Sequence, residues 1–130
     1  MNSRILLDTH VAVWVAGSPS KLGPKAKRLI QTAKDVSISS ISIAELNMKS
    51  MIGGIKIPSD LSEQFQHSNI QVSDFRTESA NEILRFGSLA KHDPFDRLIL
   101  AQASASDAKL LTADRALLAL DLDFVIDAEI

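Results

Sequence analysis

The chain has 130 residues, 45% hydrophobic and 23% charged, with a net charge of −2. That profile fits one globular domain spanning residues 1–130, and the lack of any apolar run of about 18 residues or of a signal-peptide pattern makes the cytoplasm, with no membrane contact, the expected location. The chain has no cysteine, which excludes disulfides and thiolate zinc sites, so a metal would be held by oxygen or imidazole and Mg2+ or Mn2+ is favoured.

Apolar strand-like runs alternate with helical periodicity, which predicts an α/β domain with a mainly parallel sheet of four to five strands. The first strand is expected over Arg4 to Leu7. A short helix should follow Asp8, carrying Val11, Trp14 and Val15 on one face and stopping at Gly17-Ser18-Pro19-Ser20. Pro24 suits a helix first turn, and Ala26, Leu29, Ile30 and Ala33 keep helical spacing to about Lys34. The cations Lys21, Lys25, Lys27, Arg28 and Lys34 read as a solvated face.

A second strand is expected over Val36 to Ser39 and a helix over Ser42 to Ile52, ended by Gly53-Gly54. Ser59 to His67 reads as a weaker helix and Ile70 to Val72 as a short strand. Thr77 to Ser88 is expected to be helical with Ala80, Ile83, Leu84 and Gly87 facing inward. Pro94 opens the best-defined helix, where Phe95, Leu98, Ile99, Ala101, Ala103 and Ala105 leave little polar surface. Lys109 to Thr112 should be a strand, Arg115 to Leu120 a short helix and Phe124 to Ile126 an edge strand.

Four acids, Asp8, Glu45, Asp96 and Asp114, fall where these elements meet. Taken singly, most have a structural explanation. Asp8 and Asp114 each follow a strand and precede a helix, as an N-cap does. Glu45 stands three residues after Ser42, the capping-box spacing, and four before Lys49, the ion-pair spacing. Asp93 before Pro94 is a strong N-cap and is assigned to that supporting role. Asp96 shares a face with Leu100 and Ala103 that must pack, where a carboxylate needs a partner.

The joint pattern asks for more than capping. In an open parallel sheet ligands bind beyond the carboxyl ends of the strands, and all four acids belong at that edge. Carboxylates gathered there repel unless a hard cation neutralises them. Thr112 is placed to hydrogen-bond a carboxylate or a bound water. His10 and His92 are not assigned to the site, Arg97 is expected in a surface ion pair, and Trp14 and Phe95 are expected in the core.

The segment His92-Asp93-Pro94-Phe95-Asp96-Arg97-Leu98-Ile99-Leu100-Ala101-Gln102-Ala103, preceded by Leu6-Leu7-Asp8-Thr9-His10 and followed by Leu111-Thr112-Ala113-Asp114, closely resembles the PIN-domain family. Within that family it looks like the VapC-type ribonuclease toxins of type II toxin–antitoxin systems. The resemblance spans essentially the whole chain and implies a three-layer α/β/α fold. It places the family's acids on Asp8, Glu45 in Ser42-Ile43-Ala44-Glu45-Leu46, Asp96 and Asp114. Lys49 matches a basic position often seen one turn after the glutamate.

What the resemblance implies is a Mg2+- or Mn2+-dependent endoribonuclease, often dimeric and held inactive by a cognate antitoxin. Asp8, Asp96 and Asp114 would anchor the cation, and Glu45 would complete the site and orient the attacking water in metal-assisted hydrolysis of an RNA phosphodiester. Three other readings compete with this one. A metal-independent ribonuclease would use His10 and His92, but nothing in their spacing brings them together. A phosphoacceptor module would need a second acid beside Asp8 and a lysine at the last strand. A PIN-like module that only binds partners would not need all four acids.

Overall fold

A computed structural model gives the fold and describes residues 3–54 and 60–130. In chain order these form β1 (Arg4–Leu7), α1 (Thr9–Gly17), a 3-10 turn at Pro19–Lys21, α2 (Pro24–Thr32), β2 (Asp35–Ser39) and α3 (Ser40–Met51). There follow α4 (Leu61–His67), β3 (Gln71–Ser73), α5 (Thr77–Glu82), a 3-10 stretch at Ile83–Leu89 and α6 (Pro94–Ala105). The chain closes with β4 (Lys109–Thr112), α7 (Arg115–Leu118) and β5 (Val125–Asp127). Ser59, where the weaker helix was expected to begin, lies outside the described residues, and that helix is capped by Asp60.

The five strands form one parallel sheet in the order β3-β2-β1-β4-β5. The chain winds outward from β1 through β2 to β3, crosses back, and winds outward again through β4 to β5. The reversal lies between β1 and β4, and a crevice opens beyond the strand ends at such a point. Register puts Leu7 beside Leu111, and the ladder runs one bond further, from Asp8 N–H to the Leu111 carbonyl at 3.0 Å.

Helices cover both faces, so the central strands β1 and β4 read as short continuous apolar runs. Successive side chains point to opposite faces. Ile5, Leu7, Ile38 and Leu111 pack with Val11, Ala12, Ala26, Leu46 and Phe65 on one side. Leu6 and Leu110 pack with Phe86, Leu89, Ile99, Leu100, Ala103 and Leu117 on the other. The result is the three-layer α/β/α arrangement, with β5 at an edge as the sequence implied. The cations from Lys21 to Lys34 are exposed.

Three expectations are corrected. Helix α3 starts two residues earlier than Ser42, at Ser40, because Ser39 accepts the Ile41 N–H through its side chain and is the N-cap. Ser42 and Glu45 therefore stand inside the helix as buried polar residues, and their spacing is not a capping box. The Thr77 to Ser88 segment does not present the expected face. It breaks at Phe86 (φ −113°, ψ 45°), so Ser79, Phe86 and Leu89 are buried while Ala80 and Gly87 are exposed and Leu84 is 89% exposed. Arg97 makes no ion pair among the described residues; it is half-buried and its Nε has no hydrogen-bond partner. Trp14 is half-buried against the core, Phe95 is half-buried, and Ala105 is exposed.

At Gly23 an added Cβ would lie 2.2 Å from the Ile130 backbone, so only glycine lets the C-terminal residues close on α2. The two-sided core sets a test of the packing beneath the crevice. Leu111→Ala, at a fully buried position whose carbonyl anchors Asp8, is expected to lower unfolding free energy by about 2–5 kcal/mol in urea titrations. A loss below about 1 kcal/mol would contradict tight packing at this strand.

Candidate metal centre

Each acid reaches the crevice from a different element. Asp8 is the first residue past β1 and the N-cap of α1, and it is 4% exposed. Its Oδ1 accepts the Thr9 N–H at 2.8 Å and its Oδ2 accepts the Thr112 hydroxyl at 2.6 Å. Thr112, fully buried at the end of β4, also accepts the Asp114 N–H through Oγ1 at 3.0 Å. One threonine thus ties the first acid to the backbone of the last, the role its position suggested.

Asp114 caps α7: Oδ1 accepts the N–H groups of Ala116 and Leu117 at 2.8 and 3.1 Å. The capping explanation and a site position both hold, because the two oxygens are divided. Oδ2 points elsewhere, to His92 Nε2 at 3.3 Å. Asp93 is the N-cap of α6, accepting from Phe95 and Asp96 N–H groups, which fixes the first turn and with it Asp96. Asp96 Oδ2 lies 3.3 Å from the same His92 nitrogen.

Glu45 is 4% exposed and comes to the site indirectly. Its Oε1 lies 2.7 Å from Thr9 Oγ1, which is also 2.7 Å from Ser42 Oγ, and its Oε2 pairs with Lys49 Nζ at 2.8 Å. Thr9 therefore bridges the two acids, giving its N–H to Asp8 and its hydroxyl to Glu45. The ion pair with Lys49 follows the spacing read from the sequence. Among the described residues, the metal-ligand atoms that converge within 4.8 Å of one another belong to His92, Asp96 and Asp114. Asp8 and Glu45 stand outside that group, and His92, which sequence reasoning left unassigned, stands within it. Its signal was the spacing of four residues to Asp96, easily dismissed because Asp93 and Pro94 intervene.

The electrostatics show negative charge in excess. Burial, then the charge of Asp8, then the hydrogen bond and charge of Asp114, push the Asp96 carboxyl up to about 8. Burial also raises Asp8, against the hydrogen bonds from Thr112 and Thr9. Burial pushes Asp114 upward too, but the hydrogen bond from Asp96, the α7 N–H groups and the charge of His92 outweigh it and leave this carboxyl below its ordinary value. Asp96 is thus pushed above its ordinary value and Asp114 below, the split that neighbouring carboxyls show when ionising both is costly. Lys49 is raised, chiefly by its hydrogen bond to Glu45.

Fold and site together define a doubly wound α/β domain with an acidic pocket at the switch point of its sheet. The chain belongs to the PIN domain family, whose profile matches residues 5–122. It is 30% identical over 117 residues to ribonuclease VapC22 of Mycobacterium tuberculosis, covering 87% of this chain and 88% of that protein. The fold is similar to VapBC2 from Rickettsia felis bound to a promoter DNA fragment, with TM-score 0.62, 20% identity and coverage of 95% and 96% of the two chains. It is likewise similar to VapBC-1 from nontypeable Haemophilus influenzae, with TM-score 0.63, 18% identity and coverage of 95% and 97%.

A pH dependence of stability follows for the metal-free protein. Unfolded Asp96 ionises near its ordinary 3.8, whereas folded Asp96 keeps its proton to about 8. Its contribution to stability is therefore full below the unfolded value and is lost as pH rises through that window. Asp8 acts in the same direction, while lowered Asp114 acts only at more acid pH. Urea midpoints measured in EDTA should fall as pH rises from about 4 to about 8, and Asp96→Asn should flatten the decline. A flat wild-type profile would contradict this picture of the pocket.

Proposed function

We propose that this chain is a divalent-metal-dependent endoribonuclease, folded as one PIN domain over 1–130, that acts as the toxin of a toxin–antitoxin pair. The observation that carries the reading is the charge imbalance at the crevice: Asp96 is driven up to about 8 by burial and by Asp8 and Asp114, and no lysine or arginine among the described residues pairs with any of these three acids. A hard dication is the partner such a donor set fits. Mg2+ and Mn2+ are the two ions that carboxylate donors of this kind suit.

In this reading Asp8, Asp96 and Asp114 hold the cation and Glu45 completes the set. A bound divalent cation supplies positive charge to a phosphoryl oxygen and lowers the proton affinity of an attacking water. The chain's own groups do the rest. Thr112 and the Thr9 N–H keep Asp8 aimed into the crevice, and the Asp93 cap keeps Asp96 there. Glu45, held on one oxygen by Thr9 and on the other by Lys49, is fixed to orient water. The half-buried site limits competing solvent, which strengthens these charges.

RNA as substrate is supported by the similarity to a ribonuclease, and a cognate antitoxin by the similarity to VapBC complexes. Met48 at 54%, Met51 at 84%, Ile52 at 84% and Leu84 at 89% exposure provide apolar surface for an antitoxin or for a second copy in a homodimer. No helix among the described residues is long and apolar enough to cross a membrane. His92 bonds to two carboxylates and His10 is exposed, so the metal-independent histidine mechanism gains no support.

Purified Asp8→Asn and Asp96→Asn proteins should each lose RNA cleavage by on the order of 100-fold or more while keeping the wild-type circular dichroism spectrum. EDTA should abolish wild-type cleavage and Mg2+ or Mn2+ restore it. Full activity in either variant, or in EDTA, would sink the proposal.

A further inference from the structure

We propose that His92 is itself a ligand of the divalent cation, making the centre a mixed nitrogen–oxygen site that takes Mn2+ in preference to Mg2+. This rests on the metal-dependent reading above and names the ion and a ligand that the acids alone do not supply.

The geometry comes first. His92 Nε2 lies 3.3 Å from Asp96 Oδ2 and 3.3 Å from Asp114 Oδ2. Ligand atoms at right angles around an octahedral cation with bonds of about 2.1 Å lie roughly 3 Å apart. The imidazole nitrogen thus stands from each carboxylate oxygen at nearly the separation of neighbouring vertices in one coordination shell. The three ligand atoms all fall within 4.8 Å of one another, so one ion can reach them together.

Next comes how the imidazole is held. The 3-10 stretch after α5 breaks at Phe86, and the chain then turns so that His92 N–H donates to the Leu89 carbonyl at 2.9 Å. Leu89 is a core residue, 6% exposed, so His92 hangs from a fixed point. On its other side Asp93 binds the N–H groups of Phe95 and Asp96, which fixes the distance from His92 to Asp96 across the helix start. Asp114 is likewise committed: Oδ1 is taken by the α7 N–H groups, and the oxygen left free is the one that faces His92.

Ligand chemistry then selects the ion. Mg2+ takes an all-oxygen shell and keeps several waters, whereas imidazole suits transition metals, and Mn2+ adds that tolerance to an affinity for carboxylates. A histidine that served only as a counter-charge for the two acids would give up its place when the cation arrived. A ligating histidine would stay and bond to it.

Pulsed electron paramagnetic resonance on the full chain loaded with Mn2+, at one fixed pH, separates the two. The wild type should show hyperfine coupling to one imidazole nitrogen. His92→Gln should lose the coupling and bind Mn2+ at least about tenfold more weakly by calorimetry, with a smaller change for Mg2+; His10→Gln should keep the coupling. Mn2+ that binds in an Asp96-dependent way without nitrogen coupling, or with coupling that His10→Gln removes instead, would overturn the His92 assignment and leave the nuclease reading intact. No Asp96-dependent Mn2+ binding at all would overturn both.

Discussion

Repulsion between the carboxylates of Asp8, Asp96 and Asp114 governs how this molecule is put together. Two unit charges 4 Å apart in a half-buried setting repel by about 4 kcal/mol at an effective dielectric near 20, which is roughly three pH units at 1.36 kcal/mol each. Burial contributes most to the rise of Asp96 from 3.8 to about 8, and repulsion of this order from Asp8 and Asp114 adds the rest. Groups placed at such expense are held by structure that offsets the cost. Here the structure is a sheet whose strands are buried on both faces and whose winding reverses between β1 and β4.

Threonines convert that scaffold into aim. Thr112 ends β4 and donates to Asp8 while accepting from the Asp114 backbone, so the two strands at the switch point hold their acids as one unit. Thr9 performs the corresponding link from Asp8 to Glu45 on α3. Both threonines are buried, and both would leave an orphan carboxylate oxygen if lost. Lys49 neutralises Glu45 at the rim, which sets that acid apart from the three whose charge is unbalanced. The division explains how one crevice can offer a cation site and, beside it, a carboxylate already fixed in place.

Much of this was legible in the sequence. Short apolar runs ending in Asp8 and near Asp114 announced parallel strands, and Asp93-Pro94 announced the start of α6, because strand burial and helix capping are local physics. The carboxyl-edge convergence of the acids followed from topology alone. Three features were hidden from a reading of spacing alone. Ser42 reads as a cap by spacing, yet Ser39 wins that role and Ser42 turns inward to Thr9. The break at Phe86 overrides a plausible helical period and rotates Leu84 out to solvent. His92 looks unremarkable until the fold brings Asp114, distant in sequence, to the same nitrogen.

The central claim is that the acids just after β1, on α6 and in the turn after β4 form one cation site, and a crystal structure with Mn2+ collected at the manganese absorption edge tests it most directly. The account predicts an anomalous peak within bonding distance, about 2.1–2.3 Å, of both Asp96 Oδ2 and Asp114 Oδ2, on the side that Asp8 faces. A well-ordered crevice with no anomalous peak at saturating Mn2+, or a peak bound elsewhere on the chain, would contradict it.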